Sequence, residues 1–448
     1  MQILTSTKRV PRSVITAELT RQLRAYIGTP ATGRKLLQPK VPSGKRRLLF
    51  VGGTREPGGV QVHTSDVAQA AAVLGCQVTI ASMSIDFFST LVAGSTVTVE
   101  MAERLCIEEK LHRPRRTIPR RYHAWFELMD RHRGSDVVLV EGSLAQTPAG
   151  ELPMVQRAGR RFYAIAHSAG MPRKESPLRR RLHGGLLRHG LHRLIAVSPQ
   201  IRDTAVDCFG LPENRIAVCT NWISPAFNPL GPALRAEARR RLGLDESVMV
   251  MGYVGRLSGD KLGETMLHAF AQALRNSERE IRLIIAGDGW KADEWRQIAR
   301  NLGIARRVHF AGWEREPARI YHALDVFLLP SLAEGFPLGV MEAMACGVPG
   351  LVHPMGSTLA LVEHGRTGFV ADMNSPASLA EAIGAIAARG PGELAAMGQR
   401  AAAHIREHHS RERRLPAVLG ALDIPLEGRA LPPALLHRLQ FRPWDSAV

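Results

Sequence analysis

Several features are scarce or missing in this chain of 448 residues. No apolar run approaches the roughly 20 residues a membrane-spanning helix needs, so no such helix is expected. The five cysteines, Cys76, Cys106, Cys208, Cys219 and Cys346, are scattered, and no Cys-x-x-Cys pair occurs. Neither a disulfide framework nor a zinc site is supported, and a reducing compartment fits best. Aromatic residues are only 5% and do not interleave with the arginine clusters. No nucleic-acid-binding motif is recognisable, and no nucleic-acid partner is expected. The start, Met1-Gln-Ile-Leu-Thr, lacks the charged-then-apolar order of a secretory leader, which makes a cytoplasmic location the expectation.

What is present is a soluble, strongly basic composition. Hydrophobic residues make up 45%, charged residues 22%, and the net charge is +18. Length alone suggests two to three domains with sizeable cores. A chain this basic attracts anionic partners. Arg113-Pro-Arg-Arg116, Arg120-Arg121, Arg173-Lys174 and Arg179-Arg-Arg181 all lie in the first half. They read either as a patch for an anionic membrane surface or as an ordinary solvated arginine-rich face.

Residues 1–47 carry basic residues without a core pattern and read as a basic arm. From Leu48 the pattern alternates between strand and helix. Strands are expected at Leu48–Val51, Gln77–Ala81, Asp136–Val140, Phe162–Ala166, Leu194–Val197 and Ile216–Cys219, with a helix over Val62–Leu74. A proline-rich stretch, Ser224 to Pro232, then separates a second series. Its expected strands are Val248–Val254, Ile281–Ala286, Val308–Ala311, Val326–Leu329 and Pro349–His353. Helices are expected at Glu264–Leu274, Ala292–Asn301, Ala318–Ala323, Pro337–Cys346 and Ser378–Ala388. Strands alternating with helices argue for βαβ units on parallel sheets, hence an α/β chain with two doubly wound, Rossmann-like halves. The expected domains are 48–225 and 233–414, with a tail over 415–448.

The most informative stretch is Glu334-Gly-Phe-Pro-Leu-Gly-Val-Met-Glu342. An apolar strand precedes it and a small-residue helix follows. Amides at a helix N-terminus lack intrahelical partners and, with the helix dipole, favour anions. In an open parallel sheet such a loop lies at the carboxyl end of a strand, where ligands bind. Carboxylates accept hydrogen bonds from sugar hydroxyls, so a phosphate-binding loop carrying two acids reads as a nucleotide-sugar site. Upstream, Val254-Gly-Arg-Leu-Ser-Gly-Asp-Lys261 follows another apolar strand. An arginine grips phosphate with two parallel bonds, and a lysine adds a mobile point charge.

These residues resemble a known family. Glu334 and Glu342 within EGFPLGVMEAMACGVP are similar to the E-x7-E signature of retaining GT-B glycosyltransferases of group 1, or family 4. Gly255, Arg256, Leu257 and Lys261 match that family's G-R-L-x3-K. Ile284-Ile-Ala-Gly-Asp-Gly289 resembles its strand-to-turn L-x-I-x-G-D-G. Val308-His-Phe-Ala-Gly-Trp313 resembles the next strand and loop, near the base in relatives. In the first half, Glu56-Pro-Gly-Gly-Val-Gln-Val-His63 resembles G-G-V-x-x-H, and Ala164-Ile-Ala-His-Ser168 ends a strand where the family often carries a histidine. Asn221-Trp-Ile-Ser224 resembles N-G-V-D, with Trp222 and Ser224 departing from it.

The resemblance implies the GT-B architecture, two Rossmann-like domains facing a central cleft, with the last helices crossing back onto the first domain through part of Leu415–Trp444. It implies transfer of a hexosyl group from a nucleotide-diphosphate sugar to a glycan, lipid-linked or cell-surface polysaccharide acceptor, with retention. Glu334 would contact donor sugar hydroxyls, Glu342 the ribose, and Arg256 and Lys261 the diphosphate. His167 would lie near the reacting centre. Gly58, Gly59, Gly287, Gly335, Phe336, Leu338 and Gly339 would line the donor. No cofactor and no metal are implied. No Asp-x-Asp pair occurs in the chain, which argues against the metal-chelating glycosyltransferases of the other major fold. The alternative is a nucleotide-sugar epimerase or a phosphorylase on the same scaffold.

Overall fold

The computed structural model describes residues 45–52, 58–102, 124–125, 127–143, 160–168 and 177–426. The basic clusters at 113–121 and 173–174, Glu56, most of the expected arm and the end of the tail lie outside them.

Two parallel sheets form, the first mostly in one compact unit and the second in the other. Unit 1 comprises Met1–Ala166, Pro172–Ile195 and Ala205–Ala217; unit 2 comprises His167–Met171, Ala196–Thr204 and Val218–Val448. The first sheet has seven strands: β1 (Arg47–Gly52), β2 (Gln77–Ser82), β3 (Thr98–Met101), β4 (Asp136–Ser143), β5 (Phe162–Ser168), β6 (Arg193–Ala196) and β7 (Ile216–Val218). Their order is β3-β2-β1-β4-β5-β6-β7. β1 pairs in parallel with β2 and with β4. Leu48 to Val51 are fully buried, as the continuous apolar run of a strand covered on both faces should be. Arg46, placed in the basic arm by the sequence reading, is instead tied to this sheet. Its guanidinium sits 2.7 Å from Asp136 and 3.0 Å from the Tyr163 hydroxyl.

The second sheet holds β8 (Met249–Val254), β9 (Ile281–Ala286), β10 (Val308–Gly312), β11 (Val326–Leu329), β12 (Gly350–Val352) and β13 (Gly368–Val370), in the order β10-β9-β8-β11-β12-β13. Read from its own first strand, that is 3-2-1-4-5-6, the doubly wound order of dinucleotide-binding folds. The direction of winding reverses between β8 and β11, which are hydrogen-bonded neighbours. Ligands bind in the crevice outside the carboxyl ends of the strands at such a reversal. The core beneath is continuous: Met251, Tyr253, Leu283, Ile285, Phe270 and Trp295 are all essentially inaccessible to solvent.

Several elements differ from the sequence reading. β3 and β13 were not expected, and the helix Pro391–His409 continues into a second helix, Arg411–Ala421. Both helices belong to unit 2. The helix expected from Val62 begins at Gly59, with Gly58 as its N-cap. Among the described residues, no helix is long and apolar enough to cross a membrane.

Candidate active site

The loops leaving β8 and β11 are joined by backbone. Leu262 N–H donates to the Pro330 carbonyl at 2.7 Å, and Lys261 pairs with Ser331 in an isolated antiparallel bridge. The loop after β8 is itself a tight turn, with Lys261 N–H on the Ser258 carbonyl at 3.2 Å and the Tyr253 hydroxyl donating to the Arg256 carbonyl at 2.7 Å. The two motifs, far apart in sequence, thereby meet at the winding reversal. Lys261 Nζ stands 2.5 Å from Glu334 Oε1, with both side chains mostly shielded, and 3.4 Å from Asp260 Oδ2. Burial opposes ionisation of Asp260, but the Ser258 hydroxyl and Lys261 outweigh it and hold the carboxyl below its ordinary range. Burial, and then the charge of Glu334, push the Tyr253 phenol far above its ordinary value, so it remains a neutral donor. Arg256 is exposed on the same loop.

The loop after β11 is held from behind. Ser357, fully buried, donates to the Glu334 carbonyl at 3.0 Å. In a trans peptide the next N–H points opposite to the carbonyl, so Gly335 N–H is turned away from Ser357. Gly335 has no room for a side chain: a Cβ there would stand 1.9 Å from the His167 carbonyl oxygen. His167 is the last residue but one of β5 and groups by its contacts with unit 2. Its main chain, then, is what meets Gly335. The ring of Phe336 is buried, its centroid 5.3 Å from that of His409. Phe336 therefore serves the loop through its backbone rather than its ring.

The helix Leu338–Ala345 starts at Pro337, and no side chain caps it. Its first amides, Leu338 and Gly339, have no intrahelical acceptor. Gly339 lies close to the Val254 carbonyl and to Phe327, so the helix start is pressed against the end of β8. One turn in, Glu342 accepts a 2.9 Å hydrogen bond from the Tyr321 hydroxyl on Oε2. Tyr321 is fully buried against Phe227 and Phe327. Burial, and then Glu342, raise its phenol well above the ordinary value, so it too is a fixed neutral donor.

Gly287 takes a supporting place. At φ +130° its N–H donates to Gly312 at 2.6 Å, and a Cβ would meet the Gly255 carbonyl at 1.9 Å. It backs the Arg256 loop. In unit 1, Gly58 and Gly59 open the helix Gly59–Val73 at the carboxyl end of β1, where winding reverses between β1 and β4. The helix N-terminus carries neither a side-chain cap nor an acid in its first turn. His63 is buried in the second turn of this helix.

The structure thus brings together Lys261, Glu334, Gly335, Leu338, Gly339 and Glu342 with the Arg256 loop. Sequence reasoning missed Tyr253, Tyr321 and Ser357, whose roles arise only from tertiary placement. Among the described residues, no group of three or more His, Cys, Asp or Glu side chains is placed to hold a metal ion.

Known proteins resemble both halves of this chain. Residues 235–404 match the family described as "Glycosyl transferases group 1", and residues 57–227 match "Glycosyltransferase Family 4". A D-inositol 3-phosphate glycosyltransferase of Rhodococcus jostii is 33% identical over 223 residues, 47% of this chain and 48% of that protein. An uncharacterized glycosyltransferase of Methanocaldococcus jannaschii is 28% identical over 191 residues, 42% of this chain and 48% of that protein. The aligned segments span about half the length of these curated relatives. Among solved structures, Anabaena Alr3699/HepE in complex with UDP and glucose superposes with a TM-score of 0.70 at 20% identity, covering 84% of this chain and 99% of that one. Sucrose-phosphate synthase of Thermosynechococcus elongatus superposes with a TM-score of 0.68 at 18% identity, covering 85% and 98%. With two Rossmann-like units, and with both halves matching adjoining family patterns, the chain belongs to the group 1, or family 4, glycosyltransferases of the GT-B fold.

Proposed function

We propose that the protein is a retaining glycosyltransferase that moves a hexosyl group from a nucleotide-diphosphate sugar to a glycan, lipid-linked or cell-surface polysaccharide acceptor without a metal. The observation that carries this is the meeting of Lys261 and Glu334 at the β8–β11 winding reversal. In such a transfer, negative charge grows on the departing diphosphate while the sugar takes on oxocarbenium character. Fixed positive charge and aimed amides stabilise the first. Lys261, Arg256, Gly335 N–H and the amides of Leu338 and Gly339 are arranged to supply them. Glu334 accepts hydrogen bonds from donor sugar hydroxyls, and Glu342 grips the ribose with Tyr321 orienting it. His167 serves near the reacting centre.

UDP is the first nucleotide to test, since the superposed Anabaena protein was solved with it. The inositol-phosphate acceptors named for the curated relatives are the first acceptors to try. The test is a thermal-shift screen against UDP, GDP and ADP sugars, followed by NMR of the product. One donor should stabilise the wild type, by about 2.7 kcal/mol at 100-fold its Kd. The product should keep the donor's anomeric configuration, and EDTA should leave the rate unchanged. An inverted product or abolition by EDTA overturns the corresponding part. Epimerised donor, or turnover that requires phosphate, would favour the alternative chemistry instead. The basic first half supports a peripheral location at an anionic membrane face, and binding to anionic vesicles should be lost with added salt. Equal binding to neutral vesicles would count against it.

A further inference from the structure

Asn221 is 4% exposed and lies in the segment that links the second sheet to the residues before it. Its Nδ2 donates to the Phe336 carbonyl at 2.9 Å, across 115 residues of sequence. Phe336 is the middle residue of the loop between the Glu334 carboxylate and the helix that begins at Leu338. A second group backs the first. The His409 imidazole packs its ring on Phe336, their centroids 5.3 Å apart. Ile223 N–H donates to the His409 carbonyl at 2.9 Å, and Ile223 bridges Ser410 in parallel. The segment Asn221–Ile223 is thus stitched to the end of the helix Pro391–His409 on one side and to the loop on the other.

We propose that Asn221, braced by His409, is a positioning residue of the donor loop, acting through the Phe336 carbonyl to set Gly335 and the helix start at Leu338. This rests on the glycosyltransferase reading for its kinetic consequence, though not for its structural one. Two buried side chains now capture alternate carbonyls of the loop: Ser357 takes Glu334 and Asn221 takes Phe336. Between them lies only Gly335, which has no side chain to anchor it. With both flanking carbonyls captured, Gly335 N–H has a defined direction. Without the Asn221 amide, the Phe336 carbonyl is a buried acceptor lacking that donor, an arrangement that favours rearrangement of the loop. Misplacement of such a loop by about 1 Å can cost on the order of 100-fold in rate.

The test uses the full chain with Asn221→Asp, which keeps shape but replaces the donor by an acceptor, and Asn221→Ala. Amide hydrogen exchange is followed over the loop 331–340, with β9 (Ile281–Ala286) as internal control. At temperatures where both variants remain folded, the loop should exchange at least about 10-fold faster in each, with β9 unchanged. In the transfer assay kcat should fall about 10-fold or more while the donor KM changes little. Loop exchange equal to wild type in both variants overturns the proposal, whatever the enzyme's substrate. A kcat equal to wild type alongside faster loop exchange overturns the catalytic part. If the wild type transfers no sugar while loop exchange responds as expected, the function fails and the positioning contact stands.

Discussion

Lys261 Nζ lies 2.5 Å from Glu334 Oε1, joining the loop after β8 to the loop after β11. The two side chains are 14% and 16% exposed, so the pair is shielded from the screening that makes exposed ion pairs worth little. Its geometry follows from backbone, through the Leu262–Pro330 hydrogen bond and the Lys261–Ser331 bridge.

Lys261→Ala should therefore affect binding and chemistry together. A charge-assisted hydrogen bond contributes about 1.5–3 kcal/mol, so kcat/KM should drop roughly 10- to 150-fold. Glu334→Gln keeps shape but removes the charge facing Lys261, and should also lower kcat/KM. Steady-state kinetics on both variants and the double variant check this. Strict additivity would show that the two groups act independently, contrary to the geometry.

Tyr321→Phe removes one oxygen from a fully buried ring and leaves the Glu342 carboxylate without its 2.9 Å donor. The loss of one hydrogen bond should cost about 1 kcal/mol of stability. If Glu342 holds the ribose, donor KM should rise several-fold with kcat nearly unchanged, because the ribose is gripped alike before and during transfer. A fall in kcat at constant KM would place Glu342 in the chemical step instead.

How much of this was legible beforehand depends on the range of the interaction. β8, β9 and β11 are continuous apolar runs and were readable because burial on both faces demands them. β3, Thr98–Met101, is half exposed and carries a glutamate, so no apolar signal marked it. The helix Pro391–His409 was obscured by Gly392 and Gly398, both poor helix formers. Gly398 is there because a Cβ would meet the Gly347 carbonyl at 1.8 Å, a demand visible only once the two segments pack. Likewise the chemistry of Lys261 and Glu334 was carried by their local motifs. Their supports, Tyr321, Ser357 and Asn221, are ordinary residues whose meaning lies 21, 23 and 115 positions away.

Gly287→Ala tests the backing of the phosphate loop. At φ +130° an alanine is strained, and its Cβ would collide with the Gly255 carbonyl. Both penalties apply at once, so the loss should exceed about 2 kcal/mol. Urea denaturation measures it. Gly384→Ala is the control, since that helical glycine has nothing within 4 Å of the added methyl. It should be neutral or slightly stabilising. A Gly287→Ala protein as stable as wild type would show that the loop yields freely, which its hydrogen bonds to Gly312 and across Leu257–Asp288 argue against.

His409 gives the fold an acid-sensitive joint. Burial, then the charge of Arg414, with His404 and His408 adding in the same sense, lower its pKa from the ordinary 6.5 to about 4. Above pH 6.5 the imidazole is neutral in folded and unfolded chains alike, and stability does not depend on it. Between 6.5 and 4 the unfolded chain takes up a proton that the folded one refuses, so stability falls as pH falls. The loss is complete below about 4 and amounts to at most on the order of 3 kcal/mol. His404, also lowered by burial, acts in the same direction. His409→Gln stays neutral throughout and keeps a polar side chain of similar reach behind Phe336. Its stability, followed by denaturation from pH 7.5 to 4.5, should decline less steeply than that of the wild type, with a residual slope from His404. Parallel curves would mean that His409 is protonated in the folded chain, and that its place behind Phe336 is open enough to water to hold a charge.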